Sequence, residues 1–437
     1  MSLLYLAAKR LGMGAWGMIA LAAFLSSEPR LVAESVSGME MSLFLFLLSI
    51  VLIAFDTKRL YLAFGAASLA FLTRPEGAIL WLICFIFCLA RFRFFPIKQS
   101  AIPSLVIVAP WLAFSTLYYG SPFAQSALSR SMWGATGISF SELLFRPAEL
   151  DLLWRNMVGL HVLKPPPLVR GLIVAFTVAV FAVVFELARR RGSWVMLLAM
   201  SYFLAVLGFY YFGKGLFFPW YSVPTIAIFA LVLATGIDTV VERALGEGHE
   251  PQSFESISPP SRSFGSDSPR RLLTTLVGTA IVIALLFGFV LRLLPWRDVR
   301  TYEDTVLAPT GAYLAACTPA DSITMLEPLG YIGYYSQRRI LDLAGLVSPQ
   351  FRPSRAKFEP GWGADQILKW RPEFVVLRQY EVPENKFFAS LDAPMFRDDK
   401  QRDEFTSLYR PIKHFGSEWR PDLSLVVYAR QDVLLYC

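Results

Sequence analysis

Residues 101–119 read AIPSLVIVAPWLAFSTLYY, and residues 272–291 read LLTTLVGTAIVIALLFGFVL. Neither stretch contains a charged residue, and each is long enough for one helix to cross the apolar core of a bilayer, which is roughly 30 Å thick. The composition of all 437 residues agrees, because 55% are hydrophobic and only 17% are charged. Soluble proteins have about 25% charged residues. The sequence therefore predicts a multi-pass membrane protein.

Apolar segments of this kind, separated by charges and by proline or glycine, fill residues 1–294. We predict about nine helices in this domain, at Leu11–Leu25, Met41–Phe55, Leu60–Leu72, Gly77–Ala90, Ala101–Tyr119, Gly171–Leu187, Trp194–Phe212, Trp220–Val241 and Leu272–Leu294. Met1–Ala8 is apolar but too short to span a bilayer, and it is interpreted as the end of one further helix. The fold class that follows is an α-helical polytopic membrane bundle.

Basic residues alternate between the loops and predict the orientation of the bundle. Lysine and arginine concentrate in every second loop, at Lys9/Arg10, Lys58/Arg59, Arg91–Lys98, Arg189–Arg191 and residues 242–270. Cytoplasmic loops carry this excess, so the loops 26–40, 73–76, 120–170 and 213–219, and all residues after about 295, are predicted to be extracytoplasmic. Residues 242–270, rich in Ser, Pro, Gly and Glu, are interpreted as a disordered cytoplasmic linker. The predicted location is the cytoplasmic membrane.

Residues 295–437 differ in character and predict a small extracytoplasmic α/β domain. Short β-rich runs occur at Ser322–Leu326, Arg339–Leu343, Phe374–Leu377 and Leu423–Tyr428, and Ala364–Trp370 is typical of a helix. Residues 295–437 contain neither a GxxxxGK nor a GxGxxG pattern, so this domain indicates no nucleotide cofactor. Because the basic residues follow topology, the net charge of +7 does not indicate nucleic acid binding.

The four cysteines do not form a disulfide framework or a zinc motif. Cys84 and Cys88 lie within an apolar run and are interpreted as packing residues. Cys317 and Cys437 lie in the C-terminal domain, and the sequence leaves open whether they are reduced or joined in a disulfide.

Ionisable residues on the predicted outer side are the candidates for chemistry. Arginine and lysine suit phosphate oxygens, which makes Arg74, Arg130 and Lys214 candidates for binding a lipid phosphate. Carboxylates suit sugar hydroxyls or a metal, which makes Glu76 and Glu40 candidates for contacting a sugar. The alternative is structural, with Glu40 and Glu76 tying helix ends together through Arg74. No motif indicates a cofactor, and a divalent cation stays open.

Two aromatic residues follow Lys214 at the start of a predicted helix. Trp220 and Tyr221 are interpreted either as part of an ordinary aromatic belt at the membrane interface or as a platform for a sugar ring or prenyl chain. The sequence does not decide between the two.

Several short motifs, in order along the chain, resemble those of the GT-C superfamily of membrane glycosyltransferases. The most similar group is the arabinofuranosyltransferase-like and mannosyltransferase-like bacterial enzymes. The residues that carry the resemblance are Ser37–Glu40, Thr73–Gly77, Tyr118–Gly120, Phe218–Tyr221 with Pro224, Glu327–Ser336 and Leu341–Leu346.

The resemblance implies a transferase in the lipid bilayer that moves a sugar from a polyprenyl-phosphate donor to an envelope glycan, lipid or protein acceptor at the outer face of the cytoplasmic membrane. It also implies substrate roles for Gln125 and Arg130, which stand where the family has an amide and a terminal lysine. An aspartate and a proline of that family motif are lost here.

One departure from the family affects catalysis. The family's first helix and first outer loop, which bears the presumed catalytic aspartate, have no counterpart in this sequence. Glu28, Glu34 and Glu40 lie on the correct predicted side and are the weaker candidates for the base. We therefore expect either a truncated, nearly inactive product or an enzyme with a relocated base. The alternatives from other classes are a non-catalytic membrane protein of envelope assembly and a transporter.

Overall fold

A computed structural model describes residues 12–36, 40–92, 96–122, 153–154, 156–157, 167–190, 192–212, 219–245, 302–351, 359–388, 393–416 and 421–437. The chain divides into two compact units. The first, here the helical unit, consists of residues 1–112 and 138–297, and the second, the sheet unit, consists of residues 113–137 and 298–437.

The helical unit is built from apolar helices, several of which are joined by short turns. Their bounds are α1 Ala15–Ser27, α2 Pro29–Val36, α3 Met41–Asp56, α4 Leu60–Thr73, α5 Glu76–Phe92, α6 Ile97–Tyr119, α7 Pro167–Arg190, α8 Trp194–Phe212 and α9 Val223–Leu245. The division into units cuts α6, of which residues 97–112 belong to the helical unit. A 3-10 turn, Pro219–Ser222, leads directly into α9. The helix α9 continues past residue 242, so the predicted linker begins at least four residues later than expected. The predicted helix Leu272–Leu294 lies outside the described residues.

Three helices in the described part of the chain are long and apolar enough to cross a membrane: Ile97–Tyr118, Trp194–Phe212 and Trp220–Val241. Shorter apolar helices occur at Ala15–Ser27, Met41–Asp56 and Leu60–Thr73. The protein is therefore mostly helical in this unit, with membrane-compatible helices where the hydrophobic segments of the sequence predict them.

A buried carboxylate on α9 bonds to the first turn of α1. Asp238 on α9 accepts hydrogen bonds from the backbone N–H groups of Gly14, at 2.7 Å, and Gly17, at 3.0 Å. These groups belong to the first turn of α1, where backbone donors have no partner within the helix. Both glycines are needed for this approach, because a Cβ atom on either residue would lie 2.8 Å from an Asp238 atom.

The sheet unit contains a five-stranded mixed sheet. The strands are β1 Ile323–Leu326, β2 Arg339–Asp342, β3 Phe374–Arg378, β4 Tyr409–Phe415 and β5 Leu425–Arg430. Their spatial order is β2-β1-β3-β5-β4, in which β1 pairs in parallel with β2 and β3, while β5 pairs antiparallel with β3 and β4. The α/β character predicted from the sequence is present, with β4 as an additional strand.

Helices cover this sheet and complete two apolar cores. They are α10 Ala308–Cys317, α11 Leu329–Ser336, α12 Trp362–Trp370 and α13 Asp399–Leu408, and a π-helical turn, Glu303–Leu307, precedes α10. All five residues of β3 are buried, as expected for a central strand covered on both faces.

A disulfide joins Cys317, the last residue of α10, to Cys437, with the two Cα atoms 5.1 Å apart. The pair that the sequence left open is thus bridged. Cys84 and Cys88 are free and buried, in agreement with their interpretation as packing residues.

Candidate functional site

A tight turn between α4 and α5 positions the central arginine of the helical unit. Arg74 is extended, with φ −155° and ψ 145°, which is the conformation favoured before a proline such as Pro75. The next helix starts at once, since the N–H of Gly77 donates to the carbonyl of Arg74 at 2.9 Å. Gly77 has no side-chain space, because a Cβ there would lie 2.2 Å from the backbone nitrogen of Phe71.

Arg74 is the centre of a buried cluster of charges. Its Nη1 donates to Glu40 at 2.6 Å, and its Nη2 and Nε donate to the two carboxylate oxygens of Glu76 at 2.9 and 3.2 Å. Arg74 and Glu76 are buried, whereas the side chain of Glu40 is 37% exposed. One arginine faces two glutamates, so this cluster carries a net charge of −1, and each nitrogen of the guanidinium group is already engaged.

Tyrosines from two other segments close the cluster. The hydroxyl of Tyr210, near the end of α8, donates to Glu76 Oε1. Its ring stacks on Tyr221, with centroids 5.4 Å apart and an interplanar angle of 15°. The Tyr221 ring lies 4.5 Å from the guanidinium carbon of Arg74, a distance typical of a cation–π contact. Trp220 is half-buried and meets Tyr221 edge to face, with centroids 5.8 Å apart.

A second buried arginine, Arg30, bonds to a residue of the same Pro219–Ser222 turn. Nη1 of Arg30 donates to Ser222 Oγ at 2.7 Å and to Asn156 Oδ1 at 3.2 Å. Glu28 is fully buried, and Glu34 is half-buried on the same helix as Arg30. Burial lowers the pKa of Arg30 to about 10, against the opposing effect of Glu28 and Glu34. Tyr221 contacts Arg74, and Ser222 contacts Arg30. Two adjacent residues of one turn thus connect the two arginine-centred clusters.

Several residues singled out in the sequence are therefore brought together, and others fall elsewhere. Glu40, Arg74, Glu76 and Tyr221 share one cluster, whereas Glu28 and Glu34 lie around Arg30. Gln125, Arg130 and Lys214 lie outside the described residues, as do Ser37–Met39 of the first resembling motif.

Sequence reasoning did not assign roles to Tyr210, Ser222 or Asn156. Tyr210 is polar and lies close to a helix end, which is a signal that could have marked it. Asn156 and Ser222 have no comparable local signal, because their importance comes only from contacts with Arg30, which is 126 and 192 residues away in sequence.

The arrangement favours orientation over direct anion binding by Arg74. A guanidinium group has five N–H donors, and three of those of Arg74 bond to the two carboxylates, so its first effect is to fix Glu40 and Glu76 in space. Glu40 is the member of the cluster that solvent reaches. Among the described residues, no group of three or more His, Cys, Asp or Glu side chains is placed to hold a metal ion.

Comparison with known proteins gives one match. A family model described as "Domain of unknown function (DUF8728)" matches residues 297–436, all of which except residue 297 belong to the sheet unit. No curated protein and no solved structure matches the chain.

Proposed function

We propose that this protein is a polytopic membrane glycosyltransferase of the GT-C type. It transfers a sugar from a polyprenyl-phosphate donor to an envelope acceptor on the extracytoplasmic side. The observation that carries the proposal is the cluster of Arg74, Glu40, Glu76, Tyr210 and Tyr221, which is built at the ends of apolar helices. Ionisable residues inside a membrane-spanning bundle are rare and are functional candidates by default, and Arg74 and Glu76 are both buried in the helical unit.

In this proposal, an acceptor hydroxyl attacks the anomeric carbon of the donor, and the bond between that carbon and the lipid phosphate breaks. A carboxylate accepts the hydroxyl proton, and cations stabilise the departing phosphate. Glu40 is the carboxylate that we favour as base, because Arg74 holds it in place while more than a third of its side chain remains exposed. Arg130 and Lys214 remain the proposed phosphate ligands, and Arg74 becomes a positioning residue.

The disulfide between Cys317 and Cys437 supports the proposed orientation. Disulfides persist in oxidising compartments and are rare in the cytosol, so a bridge in the sheet unit favours an extracytoplasmic location for it. The positive-inside distribution of lysine and arginine favours the same side.

Labelling of introduced cysteines in intact cells tests the orientation. We expect a membrane-impermeant maleimide to modify Arg420→Cys and to spare Glu255→Cys until the cells are permeabilised. The background is low, because Cys84 and Cys88 are buried and Cys317 and Cys437 are bridged. The reverse labelling pattern contradicts both the orientation and the proposed site.

A transfer assay tests the activity itself. The full chain in proteoliposomes is supplied with polyprenyl-phosphate sugars and an envelope glycan fraction. We expect transfer that falls about 10²–10⁴-fold in Glu40→Gln, as for loss of a general base. Glu186→Gln is the control, because Glu186 lies at the opposite, basic end of α7 and pairs only with Arg189 and Arg190 in the described contacts. Transfer that is unaffected by Glu40→Gln removes Glu40 from this role.

A non-catalytic role in envelope assembly is the second candidate function. It is favoured by one observation, that every nitrogen of Arg74 is engaged within the protein, as in a cluster that only ties helix ends together. Absence of transfer with every donor, combined with normal folding of the chain, favours this candidate.

A further inference from the structure

The sheet unit contains a topological switch point. The chain passes from β1 to β2 on one side and then returns to place β3 on the other side of β1, which gives the order β2-β1-β3 with all three strands parallel. In open α/β sheets, ligands bind outside the carboxyl ends of the strands at such a point, where neighbouring connections diverge. The residues at this position in the present sheet are Glu327, directly after β1, and Arg378, the last residue of β3.

These two residues form a buried ion pair. Nη2 of Arg378 donates to Glu327 Oε2 at 2.6 Å, and Arg378 is 6% exposed. Its guanidinium carbon lies 3.5 Å from the centre of the Phe388 ring. Two buried polar atoms beside the pair, Arg378 Nε and the Tyr302 hydroxyl, have no hydrogen-bond partner among the described residues. Buried donors of this kind are uncommon in proteins and call for an explanation.

An open cleft of about 640 Å3 lies at the same edge of the sheet. Phe388 is one of its lining residues, so the ring that covers Arg378 on one side also contributes to the cleft. The loop after β3 supplies Gln379, Tyr380 and Glu384, and the turn before β5 supplies Asp422. The backbone N–H of Gln379 donates to the carbonyl of Ser424 at 2.8 Å, which holds these two segments together.

The chemistry of this lining suits a sugar. Aromatic faces pack against the apolar C–H groups of a sugar ring, and carboxylate, amide and ammonium groups bond to its hydroxyls. Phe388 is fixed by its contact with Arg378, so little conformational freedom is lost when a ligand covers the ring. The cleft thus combines rigid apolar surface with several exposed hydrogen-bonding groups.

We propose that this cleft is a saccharide-binding site, which holds a segment of the glycan acceptor. The choice of a saccharide over other polar ligands rests on the proposed function. The location of the site rests on the cleft, which the loop after β3 and the turn before β5 form next to the switch point. Glu384 and Asp422 bind hydroxyl groups, and Phe388 supports the ring of one sugar unit.

Binding is measured with the full chain in detergent, by saturation-transfer NMR and by titration with short manno-, arabino- and galacto-oligosaccharides. No polyprenyl-linked donor is present, so the measurement does not depend on catalysis. We expect at least one of these series to bind. Phe388→Ala should weaken that binding by about tenfold or more, the equivalent of 1.4 kcal/mol, and Asp422→Asn should weaken it about 2–10-fold, as for one lost hydrogen bond.

Tyr334→Ala is the matched control, because Tyr334 is an aromatic residue of the same unit that is 71% exposed and does not line the cleft. It should leave affinity unchanged. If Phe388→Ala fails to fold, Asp422→Asn and Glu384→Gln, which change exposed side chains, decide the question.

The outcomes separate this inference from the proposed function. Absence of binding by the wild-type chain to every series, or equal binding by the wild-type and cleft variants, overturns the saccharide site even where glycosyl transfer is observed. Binding that depends on Phe388 in a chain without transfer activity supports the site and counts against the enzyme.

Discussion

Among the described residues, each unit contains a buried arginine that pairs with glutamate and lies against an aromatic ring, and the two arginines, Arg74 and Arg378, differ in how completely they are engaged. In the helical unit, Arg74 bonds through all three guanidinium nitrogens to Glu40 and Glu76, next to Tyr221. In the sheet unit, Arg378 bonds through one nitrogen to Glu327, next to Phe388, and its Nε has no partner among the described residues.

The difference indicates different tasks for similar chemistry. A fully engaged guanidinium fixes the positions of its neighbours, so Arg74 is suited to hold two helix ends and a reactive carboxylate. A partly engaged guanidinium beside a cleft keeps hydrogen-bonding capacity. The glutamates differ as well: Glu381, near Arg378, accepts only backbone N–H groups, from Arg378 and Phe388, whereas Glu76 is bonded to a cation and a tyrosine.

The largest loss of stability is expected from disrupting the turn between α4 and α5, on which the Arg74 cluster depends. Gly77→Ala introduces a Cβ about 2.2 Å from the backbone of Phe71, a distance that no side-chain movement relieves. We expect loss of the folded helical unit, observed as aggregation in size-exclusion chromatography and loss of the thermal transition.

Gly65→Ala is the matched control for that substitution. Gly65 lies on α4, and a Cβ there would meet Pro103 at an ordinary 3.8 Å, so a stability change within about 1 kcal/mol of wild type is expected, with helix propensity favouring alanine. Normal folding of Gly77→Ala contradicts the close approach on which the cluster depends.

The second-largest loss of stability is expected from replacing the arginines, and the two substitutions compare the clusters directly. Arg74→Ala leaves two carboxylates without a cation, one of them buried, and we expect a loss of about 3–5 kcal/mol in the free energy of unfolding. Arg378→Ala should cost less at pH 5 than at pH 8, because Glu381 is protonated at the lower pH and needs no cation. Pulse proteolysis in a denaturant series, read from fragments of each unit, measures both losses.

If Arg378→Ala lowers the free energy of unfolding equally at pH 5 and pH 8, the proposed difference between the two arginine clusters is contradicted. A cost for Arg74→Ala below about 1 kcal/mol, the range of an exposed ion pair, contradicts the burial of that cluster.

The sequence predicts the local parts of this architecture better than its long-range contacts. The turn between α4 and α5 is marked by Arg74, Pro75 and Glu76 within an otherwise apolar stretch, and both helix boundaries lie within two residues of the prediction. The strand β4 was missed because Tyr409–Phe415 contains Pro411 and places most of its side chains outward. An edge strand of this kind has no buried alternation to signal it.

The candidate site shows the same difference between local features, which the sequence predicts, and long-range contacts, which it does not. Arg74 and Glu76 are two residues apart, so their pairing could be suggested from sequence alone. Tyr210 is 134 residues from Glu76, and only the packing of α8 against α5 brings its hydroxyl to that carboxylate. Sequence reasoning left open whether Glu40 and Glu76 contact a sugar or tie helix ends together through Arg74, and the assignment of Arg74 to phosphate stays a prediction.

The disulfide is expected to make the next largest contribution to stability, and it stabilises the sheet unit alone. Cys317 and Cys437 are separated by 120 residues, and closing so long a loop in the unfolded chain contributes about 5 kcal/mol in the chain-entropy model. Cys317→Ser combined with Cys437→Ser should therefore destabilise the sheet unit by about this amount and leave the helical unit unchanged.

Reductant provides the internal control for the disulfide. It should lower the stability of the wild-type sheet unit to that of the double variant, and it should have no effect on the double variant itself. An unchanged sheet unit in the double variant shows that the bridge contributes nothing to stability.

The smallest effect concerns Glu381, and it depends on pH. Burial raises the pKa of this carboxyl from 4.5 to about 7, although Arg378 and two backbone N–H groups oppose the shift. Between these two values the folded chain holds a proton that the unfolded chain has lost, so the stability from Glu381 is full below pH 4.5 and falls as pH rises to 7. At 1.36 kcal/mol for each pH unit, the fall is at most about 3 kcal/mol.

Glu381→Gln should flatten this part of the pH profile of the sheet unit. Glu384→Gln should retain it, because Glu384 is exposed and pairs with Lys386 at 3.1 Å. An identical profile in wild type and Glu381→Gln shows that Glu381 is already ionised in the folded protein, and it removes the difference proposed between the two arginine clusters.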